Sequence, residues 1–407
     1  MYLTEKHIIK KSNCRFKTID NLCFLSKNLY NQALYTIKTD YEKTGKIVRY
    51  NELEKILKKK EEQFNDYYKL SPQSSQQILM LLDKNIKSYF ALLKIWKKNK
   101  KSLSGCPHFP KYKHKTKGRN IFIVAGMSMR FDNDMIIFPN KTNIKSIGTK
   151  AITSKDQIKE CRIIPKSSHY TIEIVYEVQE KEITLNENKA SIDLGLNNLI
   201  CLTTNTGTRP LIINGRPLKS INQYYNKKQA ELKAQLKKNH NKYSSKRLRK
   251  LILKRDNKIK DYLHKSSRFV VNYLKEQNVS QLVVGYNKEW KQDINIGKRS
   301  NQSFCHIPHL LLVNMLEYKT KLDGIRTTTH EESYTSKCSA LDFEELKHQD
   351  TYVGNRKKRG LFVTSTGKYV NADVNGSLNI GRKEFGDAYF KPADRGLVHN
   401  PLKIMSL

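Results

Sequence analysis

An α+β chain of two lobes is the fold this sequence predicts, on three observations. The hydrophobic period is helical between Ile19 and about Lys101, it drops to two from Asn120 to about Lys181, and beyond residue 187 strand-like and helical stretches alternate. The first lobe therefore sets helices inside a β element, either a small β-barrel or a curled sheet. The second is built around one sheet and carries a long basic helical insertion.

In chain order, residues 1 to about 16 read as a short strand pair. Leu22, Leu25, Leu29, Ala33 and Ile37 then share one helical face. A second helix is expected over Tyr50–Lys60 and a third over Ser74–Lys97, where Ile78, Leu81, Leu82, Ile86, Tyr89 and Leu92 recur at three and four; Asn51 and Ser74 are candidate caps. Residues 104–120, SGCPHFPKYKHKTKGRN, are basic, punctuated by Pro and Gly, and interleaved with Phe109, Tyr112 and His114. Strands follow in NIFIV, DMIIFP, ITSKDQIKECRIIP and HYTIEIVYEVQEK.

The polar stretch ENKA (187–190) precedes SIDLGLNNLICLTTNTG, which reads as strand, turn, strand. From about Lys219 to Gln277 the chain is helical and densely basic, broken at NHNKYSS into a hairpin of two helices. QLVVGYN is an apolar strand, FCHIPHLLLVNMLEYKTKLDG a helix, and GIRTTTHEESYTS another strand. Residues 337–371 are loop-rich, with a hairpin closed at TSTGK, and the tail from about Gly386 is irregular.

With 76 Lys and Arg against 38 Asp and Glu, the formal charge of +38 opposes compaction unless a polyanion is present, and nucleic acid is the partner that satisfies it. A lysine-rich solvated surface is the blander alternative, but compositional bias toward Lys would raise Glu as well, and it has not. Lys111, Tyr112, Lys113, Lys115 and Arg119 in the basic segment, and Lys246, Arg247, Arg249 and Lys250 in the helical insertion, are the candidate contacts. Seven scattered cysteines without a CxxC pair indicate reduced thiols, as in a cytoplasmic, nucleoid-associated protein. No apolar run approaches a membrane span, and the N-terminus has no hydrophobic signal region.

Two aspartates are the candidate acids. Asp193 lies within a strand between Ile192 and Leu194, and a strand aspartate with no local partner is expensive unless a cation balances it. Asp373, in NADVNGSLNI, could equally cap the last helix. Acids converging from separate elements are what metal-dependent phosphodiester hydrolysis requires. Glu289 and Asp293 are lesser candidates, and Trp290 reads as a packing residue.

These blocks, in this order, resemble the split RuvC nuclease domain of the TnpB family, the transposon-encoded RNA-guided endonucleases related to type V CRISPR effectors. FPKYKHKTKGRNIF resembles that family's signature after its recognition lobe. IDLGLNNLICLTTNTG resembles the first RuvC block, HIPHLLLVNMLEYKTKLDGI the helix after the second, YTSKCS the approach to the zinc ribbon, and NADVNGSLNI the third. The resemblance implies a wedge-like β-barrel over 1–16 and 102–186 and a helical recognition domain over 17–101. It further implies a RuvC/RNase H-like domain over 187–407, with its basic insertion at 219–278 and a degenerate zinc-ribbon remnant at 335–371. It also implies Mg²⁺ (or Mn²⁺) as cofactor, and a guide RNA from the transposon end and target double-stranded DNA as partners. Asp193 and Asp373 take the first and third catalytic positions.

The chain departs from the family twice. Gly285 stands where the second-block glutamate is usual, and one cysteine, Cys338, remains of the ribbon's four, so zinc is not expected. In an RNase H-like sheet the strand entering HEESYTS lies beside the strand of Gly285, about 4.8 Å away, and a glutamate can reach across. Successive residues face opposite ways, so one of Glu331 and Glu332 aims at the site. Relatives with the same GYN-type block carry the glutamate of ESYTSK, which selects Glu332, with Glu331 as the fallback. The expected function is therefore RNA-guided DNA cleavage with Asp193, Glu332 and Asp373 as catalytic metal ligands. The alternatives are a nuclease-inactive RNA-guided DNA-binding repressor and a DNA transposase that joins ends with three acids.

Overall fold

The computed structural model describes residues 1–59, 65–240, 243–287, 306–358, 360–390 and 395–405, and the chain divides into two compact units, Met1–Val178 and Gln179–Leu407. Glu289, Trp290 and Asp293 lie outside the described residues.

In the first unit β1 (Tyr2–Ile9) leads into α1 (Phe16–Thr44), α2 (Tyr50–Lys58) and α3 (Pro72–Lys98). Strands β2 (Phe122–Ala125), β3 (Arg130–Asp132), β4 (Met135–Ile137), β5 (Ile147–Gly148), β6 (Ile158–Pro165) and β7 (Tyr170–Glu177) follow. Residues 1–16 hold a single strand rather than a pair. Its partner is β7, antiparallel from Tyr2↔Glu177 to Ile9↔Tyr170, a pairing across most of the unit that local pattern cannot reveal. The sheet order is β1-β7-β6-β2, and β3, β4 and β5 form a separate meander, so the described strands do not close into one barrel. Ile19, Leu29, Ala33 and Ile37 of α1, Ile78, Leu82 and Ile86 of α3, and Val124, Ile163 and Ile172 of the sheet form one core. Beyond Ile86 the apolar stripe of α3 is covered only in part: Tyr89 meets Phe109 edge-on, while Leu92 and Ile95 are exposed. The caps also shift. Ser71, not Ser74, caps α3 by accepting from the Ser74 amide, with Pro72 at the first helical position, and α2 starts after Arg49 without a side-chain cap.

In the second unit β8 (Lys189–Leu194), β9 (Asn198–Thr204) and β10 (Leu211–Asn214) form an antiparallel meander. The chain then departs through the basic hairpin α4 (Arg216–His240) and α5 (Lys246–Glu276), the latter capped by Ser245. It returns as β11 (Gln281–Gly285), α6 (His309–Leu322) and β12 (Arg326–His330), with β11 parallel to both β8 and β12. A small antiparallel sheet, β13 (Asn355–Lys358), β14 (Leu361–Val363) and β15 (Tyr369–Asn371), precedes α7 (Ala372–Phe385), and β16 (Leu402–Ile404) completes the main sheet in the order β12-β11-β8-β9-β10-β16.

The period of two now has a direct consequence. Ala190, Ile192 and Leu194 of β8, with Leu282 and Val284 of β11, face α5 and α6 and bury against Leu263, Val270, Leu312 and Leu316. The alternate residues, Ser191 and Asp193, must then face α7. Ser191 donates to the Ser377 carbonyl of α7 at 2.6 Å and meets Thr203 and Tyr389 in a buried hydroxyl cluster. No described helix is long and apolar enough to cross a membrane.

Candidate active site

Asp193 sits at the C-terminal end of β8, one residue past the last β8–β11 register pair, Val284↔Ile192, so Gly285 is its neighbour across the parallel ladder. Gly285 in turn pairs with His330 at the end of β12. Carboxyl ends of parallel strands, beyond the last hydrogen bonds, are where an α/β sheet leaves room for a site. Glu332 follows β12 by two residues, its amide tied to the Asn287 carbonyl oxygen, Oδ1, at 2.8 Å.

A Cβ built on Gly285 would stand 2.5 Å from Glu332 Oε1, so the space a side chain would fill at residue 285 is the space the Glu332 carboxyl occupies. Glu331 is exposed and accepts a hydrogen bond from Ser333.

The third acid comes from α7. Asn371 is the N-cap, accepting from the amides of Asp373 and Val374, so Asp373 is a first-turn residue and not the cap. There the helix dipole favours a carboxylate. Its Oδ2 accepts from Asn198 Nδ2 at 2.6 Å, which pins it toward the β8–β9 turn. Gly376, one turn on, lets α7 approach β8: a Cβ there would come within 2.7 Å of Asp193 Oδ2.

The electrostatics follow from this crowding. Asp193 is densely surrounded by protein yet keeps part of its surface open to solvent. Burial, then the charges of Glu332 and Asp373, push its carboxyl well above the usual carboxylate range, while the Arg356 guanidinium pulls it down. Burial pushes Glu332 up to about 7. Glu332 Oε1 is buried and has no hydrogen-bond partner among the described residues. An orphaned carboxylate oxygen close to Asp193, which in turn feels the charge of Asp373, fits a hard divalent cation, whose preferred donors are oxygens. The three are not drawn into a closed cage: no group of three or more His, Cys, Asp or Glu among the described residues is gathered tightly enough to grip an ion.

Asp373 also lines a cavity of about 510 Å³, with Asn198 and Asn371 on its walls and Arg216, Arg356 and Lys403 as its cations. Sequence reasoning passed over Asn198, although it lies inside the Asp193 block. Arg356 offered no signal, being one cation in a loop-rich segment without periodicity.

The candidate nucleic-acid contacts are far apart in the sequence and differ in freedom. Lys111, Tyr112 and Lys115 are exposed on a strap that runs antiparallel along α1, from Lys38 beside Tyr112 to Asp20 beside Arg119. Asn31 brackets the backbone of Lys113 at 2.9 Å on both sides, and Lys113 Nζ lies over the Tyr30 ring. Arg119 is engaged within the fold, bound through two nitrogens to Asp20 at 2.9 and 2.8 Å. In α5, Lys246, Arg247 and Lys250 are exposed, while Arg249 has its Nε buried.

Comparison with known proteins agrees with this architecture. Residues 173–291 match the OrfB_IS605 family, described as a probable transposase, and residues 309–380 match the Cas12f1-like TNB domain. A TnpB-like protein, ORF457 of Acidianus two-tailed virus, is 23% identical over 409 residues, covering 91% of this chain and 84% of its own. A Cas12f1–sgRNA–target DNA complex aligns at a TM-score of 0.50 and 15% identity, covering 89% of this chain and 81% of that one. A CRISPR–Cas12f ternary complex aligns at 0.36, too loosely to carry an argument. The fold is thus a Cas12f-like two-domain α+β fold. These matches make the chain similar to TnpB-like and Cas12f1-like proteins.

Proposed function

We propose that this chain is an RNA-guided DNA endonuclease of the TnpB type, cutting double-stranded DNA beside a short motif while a transposon-end-derived RNA supplies sequence by base pairing. The observation that carries the reading is that Glu332 fills the space left by Gly285 next to Asp193, whose carboxyl feels the charges of both Glu332 and Asp373. Asp193, Glu332 and Asp373 would hold Mg²⁺, or Mn²⁺ in its place. When bound, such ions activate a water and stabilise the leaving oxygen of the phosphodiester. The residues of the chain do the rest. Asn198 orients Asp373, Asn287 anchors the backbone of Glu332, and Arg216, Arg356 and Lys403 draw a phosphate backbone into the adjoining cavity.

Zinc has no place in this reading. A structural zinc site needs four ligands, and the 335–371 segment offers Cys338 and His348. The Cys338 thiol faces the carbonyls of Glu345 and Lys347. Carboxylates tie the segment instead: Glu344 accepts from the amides of Ser339 and Val353, and Asp342 accepts from Ser339 and Ser365.

The test is a plasmid-cleavage assay on protein purified with its RNA. Wild type should cut a matched target with Mg²⁺ or Mn²⁺, and Asp193→Ala should bind the target and leave it intact. Binding without cutting by wild type would instead identify the inactive repressor, and joining of DNA ends would identify the transposase. Arg356→Ala should slow single-turnover cleavage about 100-fold, as expected for one lost charge-stabilising donor, and weaken target affinity only about three-fold; an unaltered single-turnover rate would remove Arg356 from the site.

A further inference from the structure

We propose that the basic hairpin carries a nucleotide pocket, in which one base of a single-stranded nucleic acid stacks on Tyr224 while Lys254 and Lys258 hold its phosphates. The pocket is a cavity of about 400 Å³ between α4 and α5, walled by Tyr224, Tyr225, Lys254, Arg255 and Lys258. It lies on different residues from the carboxylate site and from the candidate contacts at the start of α5.

Its floor is built rather than incidental. Arg255 is locked in place: its Nε donates to Asn222 Oδ1 at 2.9 Å, another nitrogen reaches Asp256 at 2.9 Å, and a third reaches the His306 carbonyl at 3.1 Å. Its guanidinium lies over the Tyr225 ring at 5.4 Å, and the Tyr225 hydroxyl accepts from Gln229 at 2.6 Å. Arg255 and Tyr225 therefore spend their polar capacity inside the protein and form a rigid, positively charged base.

The rim differs in every respect. Tyr224 is 60% exposed, although an aromatic ring of that size gains by burial. Lys254 and Lys258, four residues apart on one face of α5, are exposed and make no ion pair among the described residues. An open ring beside two uncommitted cations over a fixed guanidinium suits a flat π-system linked to phosphates. A duplex does not satisfy it, because stacking needs a base freed from its neighbours. This placement rests on the nucleic-acid reading above and adds to it where a single-stranded segment is held. The guide RNA and a displaced DNA strand present the same chemistry.

Fluorescence anisotropy of the full-length protein with labelled oligo(rU), oligo(dT) and a blunt duplex tests it without cleavage. Tyr224→Ala should weaken single-strand binding about tenfold and leave duplex binding unchanged, while Tyr224→Phe should bind like wild type. Replacing both Lys254 and Lys258 by Ala should make the salt dependence on single strands shallower by about one in log–log slope. Loss confined to oligo(rU) assigns the pocket to guide RNA, and loss confined to oligo(dT) assigns it to DNA. Equal binding by Tyr224→Ala and wild type, with matching thermal melts, overturns the pocket alone, as does an equal loss on the duplex. Failure of wild type to bind any probe overturns both the pocket and the reading beneath it.

Discussion

Glu332→Gln is expected to abolish target cleavage, by about 10³-fold or more, and at the same time to raise the melting temperature of the metal-free protein. The second effect comes from the same burial as the first. In the unfolded chain a glutamate titrates at its ordinary value of 4.5, whereas in the folded protein burial pushes Glu332 up to about 7. The folded state therefore binds more protons between these values. The side chain's contribution to stability is whole below about 4.5 and is lost as pH rises toward 7. That raise corresponds to about 3 kcal/mol, which partial access to solvent reduces to about 2 kcal/mol. Glutamine keeps the shape and removes the charge, so at pH 8 with chelator the variant should melt roughly 5 °C above wild type. That gain should vanish by pH 4.5. Added Mg²⁺ should stabilise wild type and not the variant. Normal cleavage by Glu332→Gln would remove Glu332 from the site. A variant that melts lower at every pH would show a structural role instead.

How much of this was readable beforehand depends on the range of the interaction. Asp193 stood out because one residue and its two neighbours settle which face of a strand must be apolar, and the alternation of Ile192, Asp193 and Leu194 is a local fact. The helical hairpin was equally legible, since its break at residues 239–245 interrupts two strong patterns. Glu332 needed more than pattern: strand adjacency came from the resemblance, and the fact that Glu332 leaves β12 and turns back across Gly285 is a property of the backbone after His330. The β1–β7 pairing and the open order of the first sheet were invisible, because ladder partners 161 to 175 residues apart leave no trace in local periodicity. Arg356 and Asn198 were missed for a related reason: each acts through space on an acid whose segment is elsewhere in the chain.

Gly285→Ala is expected to cut the cleavage rate about 100-fold while costing only about 2 kcal/mol of stability. The added Cβ would meet three atoms at once, Glu332 Oε1 at 2.5 Å, Ile380 Cδ1 at 2.5 Å and Glu332 Cγ at 2.9 Å, and none of these distances is tolerable. Ile380 is buried on α7 with close-packed neighbours and cannot withdraw cheaply. Glu332 is the far end of a flexible chain and can, so strain relaxes mostly by driving the carboxyl away from Asp193 and Asp373. A displacement of about 1 Å suffices to lose two orders of magnitude in a site that depends on alignment. If this is the route, shortening the other obstacle should help: Ile380→Val added to Gly285→Ala should recover part of the rate, although Ile380→Val alone only removes core contacts, at about 1 kcal/mol. The same geometry bears on the glutamate that the family usually carries at this strand position. Gly285→Glu with Glu332→Ala returns an acid to the strand but keeps the clash with Ile380, so it should stay inactive until Ile380 is also shortened. Cleavage by Gly285→Ala at the wild-type rate would show that the carboxyl of Glu332 is not held in the space the glycine leaves, and the relocated acid would have to be sought elsewhere.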